Sequence, residues 1–295
     1  PSSNSSTQLD LFHPDIPDAW MMGLHLRPPD LHWTKRNKVL SEKARFFIEE
    51  LEDGESPKSS PHLQDILEEI NQSCRALKDW VYQQSKALLK AGKLVGLLGG
   101  EHSIPLGFLQ ALAEQYESFG ILQIDAHMDL RPAYEYFTYS HASISYNALA
   151  IPQLTKLVQV GIRDCCQQEV ELVAASQSRV AVFYDQSIKG RCFRGSTFDE
   201  LCKEIVECLP QKVYISFDID GLDPKLCPHT GTPVPGGLAY TEAIYLIKTL
   251  VQSGRQIIGF DLCEVAGGEK EWDGNVGARV LYELSCWMGK SNGLI

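Results

Sequence analysis

The 295-residue chain has no run of about 18 apolar residues, the length that a membrane-spanning helix needs. Its first twelve residues, PSSNSSTQLDLF, are polar and show no basic segment followed by an apolar one, so no secretory signal is visible. No membrane partner is expected. Basic runs are missing too: 27 Lys and Arg stand against 38 Asp and Glu, a net charge of −11. That balance argues against nucleic acid and anionic lipid as partners, and it suits a small cationic substrate or plain solubility. The nine cysteines include no CxxC spacing; Cys165 and Cys166 are adjacent, and Cys202 and Cys208 lie six apart. Neither a disulfide framework nor a zinc knuckle follows, and a reduced, cytoplasmic protein is the expectation.

What is present is a regular alternation. Residues 1–60 show no dominant period and are expected to form a divergent N-terminal segment ahead of a single α/β domain over 61–295. From Leu63 to about Lys90 the apolar positions Ile66, Ile70, Leu77, Val81 and Leu88 recur at helical spacing. LVGLLGG follows, an apolar run closed by glycines that reads as a buried strand. Further apolar strands, FGILQID, TKLVQVGI, RVAVFYD, KVYISFDID and QIIGFDL, are separated by helices expected near 105–117, 167–176, 197–209 and 240–253. A last helix is expected from about Asn275 to Cys286, with Asp273 as its cap. Val- and Ile-rich strands between helices of this length indicate βαβ units and a mostly parallel sheet.

In open parallel sheets the ligand site lies beyond the carboxyl ends of the strands, and polar residues collect there. LVGLLGG runs into Glu101-His102-Ser103, FGILQI into Asp125-Ala126-His127-Met128-Asp129, KVYISF into Asp218-Ile219-Asp220, and QIIGFDL into Glu264. In an extended segment, side chains two apart point the same way, so Asp125, His127 and Asp129 share a direction, as do Asp218 and Asp220. Four carboxylates brought together without counter-charge would repel and resist burial. Two divalent cations remove that penalty. Four Asp and two His form a hard, oxygen-rich set that favours Mn²⁺ or a similar ion over structural zinc, and two cations sharing one water lower its pKa. Taken singly, a DxD or a DxHxD is more often a turn or a cap; three such pieces at three strand ends are hard to explain that way.

The segments GGEHS, DAHMD and SFDIDGLDP, in this order, resemble the signatures of the ureohydrolases: arginases, agmatinases, formimidoylglutamases and related guanidino-acid hydrolases. The resemblance covers roughly residues 90–290 and implies a three-layer α/β/α sandwich around a mostly parallel sheet. It also implies two Mn²⁺ per chain. One would be held by His102, Asp125, Asp129 and Asp218, the other by Asp125, His127, Asp218 and Asp220, with Asp125 and Asp218 bridging. By the same resemblance His141 would carry the proton to the leaving amine, Glu264 would pair with the guanidinium, and Thr232 in HTGTPVPGG would shape the site. His229 in that loop receives no role and is read as surface.

Within the family, DAHMDLRPAYEYFTYSHAS resembles the agmatinase pattern. The Asn and Ser/Thr-rich run of arginases is replaced by Leu130-Arg131-Pro132, and the RDxD segment by Arg163-Asp164-Cys165-Cys166, which lacks the second acid; both departures speak against arginine. Arg131 is a candidate for a substrate carboxylate or for an ion pair with an acid such as Glu135. The expected activity is release of urea and an amine from a small cationic guanidino substrate, agmatine first. Guanidine, a guanidino acid or N-formimidoylglutamate is the alternative, and a catalytically silent binding homologue stands behind both. The resemblance also implies a homotrimer or homohexamer.

Overall fold

The computed structural model describes residues 8–266 and 271–295. Six parallel strands form one sheet: β1 (Gly96–Leu98), β2 (Phe119–Ile124), β3 (Leu154–Ile162), β4 (Val180–Tyr184), β5 (Lys212–Asp218) and β6 (Gln256–Cys263), in the spatial order β1-β6-β5-β2-β3-β4. The helices are α1 (Leu31–Glu52), α2 (Pro61–Lys90), α3 (Leu106–Gln115), α4 (Ile144–Ala148), α5 (Gln167–Ala175), α6 (Asp185–Phe193), α7 (Phe198–Glu207), α8 (Tyr240–Gln252) and α9 (Glu271–Ser291).

Strand side chains alternate between two cores because successive Cβ atoms point to opposite faces. Leu122, Ile124, Val158, Val160, Ile215 and Phe217 meet α7, α8 and α9 on one face. Phe119, Ile121, Leu157 and Tyr214 meet α2 and α3 on the other. The result is the expected three-layer sandwich. Both faces being covered explains why the strands read as continuous apolar runs. No helix among the described residues is long and apolar enough to cross a membrane.

Besides the short α4, which lies in a stretch given no element, three elements depart from the sequence reading. The N-terminal region contains α1, a helix of 22 residues that begins after Pro28-Pro29, with the Asp30 carboxylate accepting from the backbone N–H groups of His32 and Trp33. It carries a narrow apolar stripe, Leu40, Ala44, Phe47 and Leu51 at helical spacing, of which only Phe47 is fully buried, and the many polar residues around it mask the period. The second is α6, whose DQSIKGRCF lacks a stripe. The third is α9, which begins at Glu271 and ends at Ser291, beyond both expected ends. Asp273 therefore lies inside the helix rather than capping it.

Candidate active site

The four polar strand ends converge. β2 stops at Ile124, and Asp125 follows with its backbone pressed between two glycines. A Cβ on Gly221 would stand 2.6 Å from the Asp125 amide nitrogen, and one on Gly161, at φ +96, would stand 3.0 Å from its carbonyl oxygen. Only glycine permits both approaches.

From there the chain does not stay extended. Asp129 has φ 56, in the left-handed region, and Asp218 passes into a 3-10 turn over Ile219–Gly221 in which the Asp220 N–H donates to Asp218 Oδ1 at 2.9 Å. The equal-direction rule for residues two apart therefore fails at both motifs, and the side chains fan out to two sides of Asp125. On one side His102 Nδ1 lies 3.3 Å from Asp125 Oδ2, 3.3 Å from Asp129 Oδ2 and 3.1 Å from Asp218 Oδ2. On the other, His127 Nδ1 lies 3.6 Å from Asp125 Oδ1 and 3.1 Å from Asp220 Oδ2. Among the described residues three groups have metal-ligand spacing, His102–Asp125–Asp129, Asp125–His127–Asp220 and His102–Asp261–Cys263, and the first two share Asp125.

The donor set fits a pair of cations. His102 Nδ1 is buried, faces three carboxylate oxygens and makes a well-formed hydrogen bond to none of them. Without cations the site balances its charge with protons. Burial pulls the two imidazoles down, but their carboxylate neighbours outweigh it: His102 is raised well above its ordinary value and His127 is pushed up to about 11. Burial, then the charge of Asp125, pushes Asp129 up to about 7. Asp218 is raised by burial and by the charges of Asp220 and Asp125, whereas the two imidazoles hold Asp125 low despite its burial. Divalent cations would take over the work of those protons.

Around this centre, Glu264 follows β6 with φ 60, a conformation that costs a non-glycine residue about 1–3 kcal/mol and recurs at functional positions. Its Oε1 accepts from the His102 N–H at 2.8 Å, and burial followed by the charge of Glu101 raises its pKa. His141 stands in a 3-10 turn, its Nδ1 3.3 Å from Glu101 Oε1 and its backbone N–H donating to the same oxygen. Thr232 Oγ1 is 3.5 Å from Asp220 Oδ2. Arg131 lies over the Tyr134 ring at 5.1 Å and 3.9 Å from Glu169 Oε2; its acidic neighbour is thus Glu169 and not Glu135. His229 is exposed as expected, yet it is engaged: its N–H and Nδ1 each meet the buried Asp273 carboxylate at 3.0 Å.

Sequence reasoning passed over several residues that hold the site. Arg163 laces the glycine-rich loop to it, its guanidinium donating to the carbonyls of Gly161, Asp220, Leu222 and Val234. Glu101 was seen at a strand end but not joined to His141. Gln123, Gln159, Ser216 and Asp261 are buried polar residues inside apolar strands, and that contrast was the available signal.

The Arginase family model matches residues 54–286. Among curated relatives, N(1)-aminopropylagmatine ureohydrolase of Thermus thermophilus is 39% identical over 178 residues, 60% of this chain and 57% of that protein. Proclavaminate amidinohydrolase of Streptomyces clavuligerus is 32% identical over 70% of this chain and 67% of its own length. The chain thus spans less than two thirds of the first of these relatives. Among solved structures, the agmatine ureohydrolase of Thermoplasma volcanium superposes with a TM-score of 0.63 at 29% identity, covering 75% of this chain and 71% of that one. With the family match running through every strand and every convergent side chain described above, the chain belongs to the arginase family.

Proposed function

We propose that the protein is a ureohydrolase that cleaves a guanidino C–N bond to urea and an amine, with two divalent cations, manganese foremost, held by His102, Asp125, His127, Asp129, Asp218 and Asp220. The observation that carries this reading is Asp125, whose two carboxylate oxygens face two different imidazoles, each with further aspartates beside it. When bound, the cations supply Lewis acidity and lower the pKa of a water near neutral pH.

The protein's own groups do the rest. Glu264 offers a carboxylate to the guanidinium: Oε1 is fixed by the His102 N–H, and the buried negative charge is relieved when a cation arrives. That contact orients the carbon to be attacked. His141 turns Nδ1 to Glu101, which leaves Nε2 to hand a proton to the departing amine, and the Glu101 contact keeps the ring protonated to higher pH. Tyr134 stands between His141, at 5.8 Å between ring centroids, and Arg131, so we assign Arg131 to the outer wall of the pocket. Thr232 shapes the wall beside Asp220.

Agmatine and its N(1)-aminopropyl derivative are the first substrates to try, the names of the relatives supporting both. The proclavaminate relative supports a guanidino acid as the second choice. The test is urea release by Mn²⁺-loaded protein from these two, arginine, guanidinobutyrate, guanidinopropionate and guanidine, with formamide measured from N-formimidoylglutamate. Urea from one of the guanidino compounds is expected; no urea from any of them overturns the reading.

A further inference from the structure

An apolar filling would suit the interior of this sheet, yet β2 carries Gln123 and β3 carries Gln159 at the paired register position, and both are buried. A buried primary amide is costly unless its carbonyl and its NH2 are both satisfied. Gln123 satisfies both. Nε2 donates to Asp125 Oδ2 at 2.8 Å and to the His127 carbonyl at 3.4 Å; Oε1 accepts from Ser145 Oγ at 2.7 Å and from Gln159 Nε2 at 2.8 Å. The amide cannot be turned over, because its NH2 would then meet the NH2 of Gln159 and its carbonyl would meet the Asp125 carboxylate.

The partners matter as much as the count. Asp125 Oδ1 takes the His127 N–H at 2.6 Å and Oδ2 takes Gln123, so each oxygen spends one lone pair on a fixed donor. The lone pairs that remain are the ones facing His102 and His127. Gln159 extends the grip by donating to the Met128 carbonyl at 2.6 Å. Ser145 lies on α4, four residues after His141, and the next residue, Tyr146, donates its N–H to the Asp129 carbonyl at 3.1 Å.

We propose that Gln123 is a positioning residue of the cation centre: it sets the plane of the Asp125 carboxylate and, through Ser145, ties that plane to the segment bearing His141. This rests on the reading of Asp125 as the shared ligand. The tests are chelator-competition titration with Mn²⁺ and the visible spectrum of the Co²⁺-loaded protein, which reports ligand geometry directly. Gln123→Met keeps the length and removes every polar contact. It is expected to weaken Mn²⁺ binding about 10- to 100-fold, the usual effect of losing an outer hydrogen bond to a ligand, and to change the Co²⁺ bands. Ser145→Ala is expected to weaken binding less, and to add nothing in the Gln123→Met background. A folded Gln123→Met protein with wild-type affinity and spectrum overturns the proposal. Should that variant fail to fold, Ser145→Ala decides, and unchanged affinity and bands there overturn it. Wild-type protein that takes up neither ion removes the two-cation reading and this one with it, a result distinct from wild-type uptake with silent variants.

Discussion

Asp261 meets His102 inside the sheet, Oδ1 standing 3.4 Å from Nε2 with both side chains fully buried. Ser216 Oγ reaches the same nitrogen at 2.9 Å. The three belong to a larger pattern. Gln159, Gln123, Ser216 and Asp261 occupy one register level across β3, β2, β5 and β6, a polar row through an otherwise apolar sheet. With Nε2 engaged by Ser216 Oγ on this side, Nδ1 is the nitrogen left for a cation, and the Asp261 carboxylate, close behind the ring though not hydrogen-bonded to it, favours that choice. Asp261→Asn is therefore expected to weaken Mn²⁺ binding on the order of 10- to 100-fold while the far-UV circular dichroism stays native. Chelator competition measures it; wild-type affinity would remove Asp261 from the centre.

The Glu101–His141 pair gives a pH prediction with a definite sign. Its hydrogen bond to Glu101 raises His141, against the opposing effect of burial. Burial would raise Glu101, but the bond and charge of His141 outweigh it and lower the carboxyl. The histidine's share of stability is whole below the ordinary value of 6.5 and is lost as pH rises through the raised one. The glutamate's share is whole above the ordinary 4.5 and is lost as pH falls through the lowered one. The pair is thus complete between those values. The two side chains are 41% and 45% exposed, so solvent screening holds the contribution to under about 1 kcal/mol. Activity is the sharper readout. In Glu101→Gln the alkaline limb of kcat/KM moves to lower pH, because His141 gives up its proton sooner; an unmoved limb rules out His141 as the acid held by Glu101.

Gly221 offers a steric test. An added methyl would stand 2.6 Å from the Asp125 nitrogen and 2.8 Å from the Ile124 carbonyl carbon, and backbone atoms cannot step aside as a flexible side chain can. Gly221→Ala is expected to lower stability by about 1–3 kcal/mol, as overpacking does, and to reduce metal content per chain below wild type. Urea denaturation and elemental analysis check both; wild-type metal content would show that the Asp125 backbone tolerates displacement.

For Glu264→Gln the expected outcome is a KM raised about 10- to 100-fold for a guanidino substrate, the loss of one charge-assisted hydrogen bond. Mn²⁺ content should stay at the wild-type level. The amide oxygen can still accept from the His102 N–H, so the backbone is not released. Steady-state kinetics at saturating Mn²⁺ measure the split; an unchanged KM would place the guanidinium elsewhere.

Much of this site was legible because its candidate ligands sit where strands end, and strand ends announce themselves by an apolar run giving way to Asp or His. What was not legible depended on contacts made across the sheet. Asp261 reads as one letter of QIIGFDL; only the register with Ser216 and the approach of His102 give it meaning. Asp273 reads as a cap, yet tertiary packing turns its carboxylate inward to His229. The α6 segment carries Gly190 and no apolar stripe, so it owes its helicity to its neighbours, whereas α1 has a stripe only four residues long, Leu40, Ala44, Phe47 and Leu51, set among polar residues that mask it.

The α1–α2 pair has its own small core of Phe47, Leu63, Ile66 and Ile70, apart from the two that clothe the sheet. Its far side touches the loop ahead of His141: Phe47 stacks with Phe137 at 5.2 Å and with Tyr136 at 6.4 Å, and Asn71 Oδ1 accepts from the Thr138 N–H at 3.0 Å. Tyr136 and Glu135 both hold left-handed backbone there, at φ 65 and 48. A helical pair that straddles the start of the family match, α1 ahead of it and α2 within it, therefore braces the loop that leads to His141. Such an arrangement is coupled rather than separate, because α2 also lines the core under the sheet. A change at Phe47 or Asn71 is passed to residues 136–138, and so to the approach to His141, while the strand ends that carry the aspartates are left untouched.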